Sequence, residues 1–596
     1  MRTRRSRFPA TLFLAVLALA TARCSGDARD AASDASANDD AAAVVDAVAR
    51  HFVDGYYHQF PEEAYEIGYP ETPMDRLGDR SRAAMDAWRA REDAWLDSLR
   101  VIDAASLEGT PAEVPYTFTL DRLEAAVGRR VCHTELWNVS PTWTGWQSML
   151  ASTFAIQPVA TADERAAALA RARDVTRYLD TEIANLREGL AEGYTAPRSN
   201  VDRVLDQVDA LLAAPVEASP FYQPATRTQD STFARDLADI VADEIRPAIR
   251  RYRAFLADEY RAGAREAVGV SANPDGLPCY RASVRFHTSL PLEADSIHQT
   301  GLREMERIQN EMRAIAERSF GTADVAALLQ RLRTDPRYTF RSEDEVLAYA
   351  RAAVRRAREV TPDWFDFVPE AEVVVKPFPA YQKASGGGFY SSGSEDGSRP
   401  GTYELGTYMP EHISRAGMEA TAFHETYPGH HLQMAVALQG EGVHPVLRYI
   451  YVAGTAEGWG LYCERLADEM GLYSSDVDRL GMLSNESLRA ARLVVDPGMH
   501  ALGWTRQQAI DYMLSHTAES EGSVAAEIDR YIAVPGQATA YLTGSLEIQR
   551  LRHDAEQRLG DRFDIRAFHD RILANGAVTL PMLHTAIDRW VVGQPR

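Results

Sequence analysis

The chain has 596 residues, with 64 basic against 86 acidic side chains and a net charge of −22. That balance argues against nucleic acid and against an anionic membrane surface as partners, and says nothing about fold. A mature chain of about 570 residues is long enough to bury a large core.

Residues 1–24 read as an export signal. Arg2, Arg4, Arg5 and Arg7 form a basic start, and Phe8 to Ala22 is an uncharged apolar run too short to span a bilayer. Thr21-Ala22-Arg23-Cys24 resembles a lipoprotein box, so a lipid anchor at Cys24 is one expectation. Arg23 is atypical there, which leaves simple cleavage as the other. Either way the protein is expected to be periplasmic or anchored to the outer membrane of a Gram-negative bacterium. Residues 25–44 are Ala, Ser and Asp with few large apolar side chains, and read as a disordered tether. Cys132, Cys279 and Cys463 remain. One disulfide with one buried thiol is an economical arrangement, with Cys132–Cys279 as the expected pair, but sequence does not settle pairing against three buried thiols.

Residues 45–592 read as one mainly α catalytic domain: two helical halves around a deep cleft, a small β-sheet beside the metal-site helix, and a soft boundary near residue 270. Thr161-Ala162-Asp163-Glu164 is a capping box. After it Val175, Leu179, Ile183, Leu186 and Leu190 recur on one helical face. Similar periodicity runs through 232–268, 292–320, 342–359, 415–438, 451–470, 505–516 and 566–574. Strands are expected at 372–376, 388–391 and 402–405, flanking turn-rich chain. Residues 388–408 are placed to hold an extended substrate by main-chain pairing. In that turn-rich stretch Arg399 is a candidate anchor for a substrate carboxylate.

The densest chemistry is His424-Glu425-Thr426-Tyr427-Pro428-Gly429-His430-His431, followed by Glu457. Imidazoles and carboxylates are zinc ligands, and a glutamate beside the first histidine suits a general base. The H-E-x-x-H pattern is broken, because the i+4 position is Pro428. On an unbroken helix His424 and His431 lie roughly 10 Å apart along the axis, too far for one ion. Pro428-Gly429 must therefore bend or bulge the chain. The expected ligands to one zinc ion are His424, one of His430 and His431, and Glu457, with Glu425 as base. Glu464 shares the helical face of Glu457 and is a candidate brace for a histidine ligand. Donors to an anionic intermediate are sought in Tyr531 and Tyr541, which flank the turn Pro535-Gly536-Gln537, and in His500, oriented by Asp496. Gln537 is counted with Arg399 as a substrate contact.

The block Phe423 to Gln433 resembles the bacterial family known as domain of unknown function 885. Thr455 to Glu464, Arg492 to His500, Gly503 to Thr505, Tyr531 to Ala538 with Tyr541 and Gly544, Asp396 to Gly401, and Arg76 to Ser81 are also similar to it. The resemblance implies a mostly helical fold and kinship with gluzincin peptidases such as angiotensin-converting enzyme and thimet oligopeptidase. There a third glutamate ligand follows the histidines by some two dozen residues, as Glu457 does here. The expected activity is hydrolysis of short peptides. The alternatives are a zinc amidase or esterase acting on a non-peptide substrate, and a lipoprotein that binds metal or peptide without turnover; an intact Glu425 speaks against the latter.

Overall fold

The computed structural model describes residues 26–594, apart from 68, 71, 371, 379–385, 394–398 and 441. The export signal and Cys24 lie outside the described residues. The first helix (α1, Gly26–Gln59) takes in most of the segment expected to be a tether. Alanine has the highest intrinsic helix propensity, so an Ala-rich run continues readily from a helix anchored downstream. Val45, Val48, Ala49, Phe52 and Val53 supply that anchor on its buried face.

Helices dominate, and they follow the periodicity of the sequence. The capping box at Thr161 and Glu164 opens α2 (Ala162–Glu192), and Gly193 closes it with a positive φ of 85°. Val175, Leu179, Ile183 and Leu186 are buried along it. Further on come α3 (Gly276–Thr288) and α4 (Ala294–Phe320).

The three expected strands form one small sheet: β1 (Val373–Pro377), β2 (Gly388–Ser391) and β3 (Gly401–Leu405), in the order β1-β3-β2. β1 runs parallel to β3, and β2 antiparallel to it with Tyr390 opposite Tyr403. The hydrogen bond from Gly406 N–H to the Gly387 carbonyl fixes the ladder's parity. Gly388 and Tyr390 therefore turn their main-chain polar groups toward the free edge of β2.

The helical pattern over 415–438 resolves into two pieces, α5 (Met418–Glu425) and α6 (His430–Gln439). Then follow α7 (Ala453–Glu469), α8 (Asp476–His500), α9 (Glu521–Ala533) and α10 (Ala540–Leu559). α7 and α10 cross backbone to backbone. A Cβ on Gly544 would lie 1.7 Å from the Gly454 carbonyl oxygen, so only glycine permits the approach.

The apolar core falls into two clusters. One takes in the chain from Val45 to Trp137 and again from Val268 to Val591. The other is built from residues 139–264 with Leu77. The second unit is thus inserted into the first, and the boundary expected near 270 marks only where the chain leaves it. A disulfide joins Cys132 to Cys279, close to both crossing points, and Cys463 is free and buried. No helix among the described residues is long and apolar enough to cross a membrane.

Candidate metal centre

α5 is held at its start by a buried carboxylate. Glu419 accepts hydrogen bonds from Arg356 (2.7 Å), from the Ser474 hydroxyl (2.6 Å) and from the Ser474 N–H (2.9 Å). Phe423 and Ala422 seat the helix on the core. It stops after Glu425. The Tyr427–Pro428 peptide is cis, and the Gly429 N–H reaches back six residues to the Phe423 carbonyl (3.0 Å). A Cβ on Gly429 would lie 1.9 Å from the His424 carbonyl oxygen, so this doubling-back admits glycine alone. From the far side, the Trp459 indole N–H donates to the carbonyls of Pro428 (3.0 Å) and Gly429 (3.3 Å). The Cys463 thiol also lies on the Pro428 carbonyl (3.4 Å). The bend expected at Pro428-Gly429 is therefore a full break, clamped by α7.

The break brings His430 back to His424. Their rings meet edge to face at 4.8 Å, and Nε2 of each lies 3.6 Å from Oε2 of Glu457. The three donor atoms all fall within 4.8 Å of one another. Ligands around a tetrahedral zinc ion, at bonds of about 2.0–2.2 Å, stand roughly 3.3–3.6 Å apart, so this spacing suits that ion. The other oxygen of Glu457 accepts a hydrogen bond from the Tyr451 hydroxyl (2.6 Å).

His424 lies across one face of α7, between two carboxylates a double turn apart. Its Nδ1 donates to Oε1 of Glu464 (2.9 Å). A carboxylate can only accept, so Nδ1 carries a proton, and Nε2 is the nitrogen that faces the Glu457 carboxylate and would meet a ligand. Gly460 lies between the two glutamates, and a Cβ there would meet His424 Nε2 at 2.6 Å. The imidazole occupies the space of the missing side chain.

The carboxylates favour positive charge at this group, although Glu464 is also paired with Arg489 (3.9 Å). Burial disfavours an imidazolium at His424, yet its hydrogen bonds to Glu457 and Glu464 and the charge of Glu425 push its pKa up to about 10. Burial works to raise Glu457, but the two imidazoles hold its carboxyl well below the usual range. Three carboxylates around two histidines leave an excess of negative charge that a divalent ion would neutralise.

Glu425 stands beside this group, partly buried. Burial raises its pKa, against the pull of His424 and His430 and a hydrogen bond from the Tyr390 N–H. That last contact sets the free edge of β2 next to the glutamate. Tyr451, half exposed at 47 %, was not singled out in the sequence: it opens the 451–470 helical pattern, and in the structure it lies in the loop just ahead of α7. Desolvation, then the charge of Glu457, keeps its hydroxyl protonated. Tyr541, at the start of α10, is likewise raised by burial and by Glu457, and its hydroxyl is hydrogen-bonded to Gln537.

Other expected residues are placed elsewhere. His431 is not with the metal group: it is buried, with Nδ1 on the Tyr390 hydroxyl (3.0 Å) and Nε2 on that of Tyr427 (3.1 Å). Consecutive residues on α6 diverge by about 100°, so only one of the two histidines can face His424. His500 has no nitrogen left for a substrate. Nδ1 accepts from the Val270 N–H (3.0 Å) and Nε2 donates to the Tyr531 carbonyl (3.0 Å). Asp496 does not orient it, but accepts from the Tyr280 hydroxyl (2.7 Å) and the Gly536 N–H (3.1 Å). The Tyr531 hydroxyl is buried, engaged by Arg492 (2.8 Å) and Glu527. Arg399 is exposed on the loop between β2 and β3, where it bonds the Ser392 carbonyl (2.6 Å). Gln537 holds Arg530 (2.8 Å) and Tyr541.

Residues 61–587 match the family described as bacterial protein of unknown function (DUF885). The chain belongs to DUF885. Two solved structures of similar fold are each described as a "putative lipoprotein". One, from Colwellia psychrerythraea, superposes with a TM-score of 0.84 at 26 % identity, over 94 % of this chain and 100 % of that one. The other, from Shewanella oneidensis and further described as of unknown function, gives 0.71 at 18 % identity over 90 % and 98 %. No curated protein matches the chain. DUF885 membership agrees with the resemblance carried by the His424–His431 block and with a mainly α fold.

Proposed function

We propose that this DUF885 protein is an exported zinc-dependent hydrolase that cleaves peptide bonds of short peptides. The observation that carries the reading is the convergence of His424, His430 and Glu457 within 4.8 Å, with Glu425 beside them and Glu464 bracing His424. When bound, zinc supplies Lewis acidity, which polarises a carbonyl and makes water a stronger acid. Glu425 accepts the proton of the attacking water and passes it to the leaving amine. Burial shifts the Glu425 pKa upward, the direction that suits a general base. Tyr541 offers a hydroxyl donor where negative charge develops on the carbonyl oxygen, while the Tyr451 hydroxyl holds Glu457 in place. The Gly388 end of the β2 free edge offers main-chain pairing to an extended peptide.

Export is supported by the basic and apolar start of the chain, by a disulfide suited to an oxidising compartment, and by a structural neighbour described as a "putative lipoprotein". Lipidation at Cys24 would make the membrane attachment. The activity is tested by incubating zinc-loaded protein with a mixture of short peptides and reading new termini by mass spectrometry. Cleavage is expected, abolished by chelation and lowered about 10²–10⁴-fold in Glu425→Gln with zinc still bound. Wild-type cleavage by Glu425→Gln would exclude that glutamate as the base.

A further inference from the structure

Next to the metal group is a second concentration of charge. Arg492 on α8 is buried at 6 % exposure, and Arg530 on α9 is nearly so, its side chain 14 % exposed. Both donate to one oxygen of Glu527, at 2.9 Å each, and the Tyr531 hydroxyl donates to the same oxygen. Burial works against the Glu527 charge, but the two guanidinium groups hold its carboxyl well below its usual range. Asp496, the other carboxyl that feels Arg530, is pushed up to about 7 by burial and is only partly ionised at neutral pH, so the two guanidinium groups leave positive charge over in a desolvated place. Donors are left over as well: among the described residues, Nη1 of Arg492 and Nε of Arg530 are buried with no hydrogen-bond partner. A buried guanidinium with an unmet donor is costly unless a ligand completes it.

The location says what that ligand is. The guanidinium of Arg492 lies 4.6 Å over the ring of Tyr541, whose hydroxyl is bonded to Gln537 and feels the charge of Glu457. Gln537 in turn accepts from Arg530. Tyr541 thus links the arginine pair to the metal group. Resting on the hydrolase reading above, we propose that Arg492 and Arg530, beside Gln537, bind the terminal α-carboxylate of the peptide, so that bonds near a free C-terminus are the ones cut. A planar guanidinium fork matches a carboxylate, and leftover positive charge in a buried place favours an anionic ligand.

The test is equilibrium binding, which needs no turnover. Intact zinc-loaded Glu425→Gln protein is titrated in a calorimeter with an N-acetylated tetrapeptide as the free acid, as the C-terminal amide, and as an amide whose last residue is glutamate. The free acid is expected to bind at least about tenfold tighter than either amide, the range of one charge-assisted hydrogen bond. Adding Arg492→Gln should reduce that preference to about twofold or less, and Arg492→Lys, which keeps the charge, should leave part of it. Equal binding of acid and plain amide, or no binding of either, overturns the proposal. Glutamate-amide binding as tight as the free acid overturns the assignment to the chain terminus. A free-acid preference in a protein whose wild type cleaves neither peptide refutes the hydrolase reading and leaves the carboxylate site standing.

Discussion

At the residue scale, the metal group depends as much on absent side chains as on present ones. Gly460 leaves the space that His424 fills, and Gly429 lets the chain double back over the His424 carbonyl. Gly460→Ala is therefore expected to weaken zinc binding about tenfold or more without altering a ligand, since overpacking of this kind costs ~1–3 kcal/mol. Competition with a chromophoric chelator measures it, and unchanged affinity would mean that the imidazole is not seated against α7. That His424 and Glu457 would come together was legible in the sequence, because their residue types and spacing mark a candidate metal site. The choice between His430 and His431 was not legible, because it turns on the direction in which the chain leaves Gly429. His500 was misread for a related reason. It was expected as a donor oriented by Asp496, yet both lie inside α8, which carries His500 into the interior.

At the element scale, α8 does two jobs through opposite ends of its last turns. Arg492 looks to the charged cluster, while Asp496 and His500 fasten the helix to Tyr280, Val270 and the segment around Gly536. Burial pulls the pKa of His500 down to about 4, so it folds as the neutral imidazole. In the unfolded chain it titrates near 6.5. Its contribution to stability is therefore complete above pH 6.5 and is lost as pH falls toward 4. Asp496 has the reverse sign: burial, only partly offset by its hydrogen bonds to Tyr280 and Gly536, pushes it up to about 7, and its contribution is lost as pH rises from 3.8 through 7. His500→Gln should remove about one proton's worth of the acid-side slope, ~1.4 kcal/mol per pH unit, from the unfolding free energy of the metal-free chain. Denaturant melts between pH 4 and 6.5 provide the measurement, and an unaltered slope would show that His500 titrates normally. Most helices were legible from their 3.6-residue period, since tertiary burial followed the apolar face. The interruption at 426–429 was legible only as a necessity, because backbone contacts with Trp459 and Cys463 decide its shape.

At the scale of the whole molecule, the arrangement is one helical unit inserted into another, with Cys132–Cys279 clasping the neck across 147 residues. Sequence showed only the downstream edge of the insertion, because the upstream edge near residue 138 has no Gly- or Pro-rich linker and is revealed by which residues share a core. The metal group belongs entirely to the outer unit. Replacing both cysteines by serine is expected to lower stability by ~2–5 kcal/mol while leaving zinc stoichiometry intact. Thermal melts with elemental analysis of the same sample check both halves, and loss of zinc would show that the insertion helps to hold the metal group. Zinc content of the purified chain decides the metal assignment most directly. About one zinc per chain is expected in the wild type and in His431→Ala, and almost none in His430→Ala. Full occupancy in His430→Ala, or its loss in His431→Ala alone, would contradict a centre built on His424, His430 and Glu457.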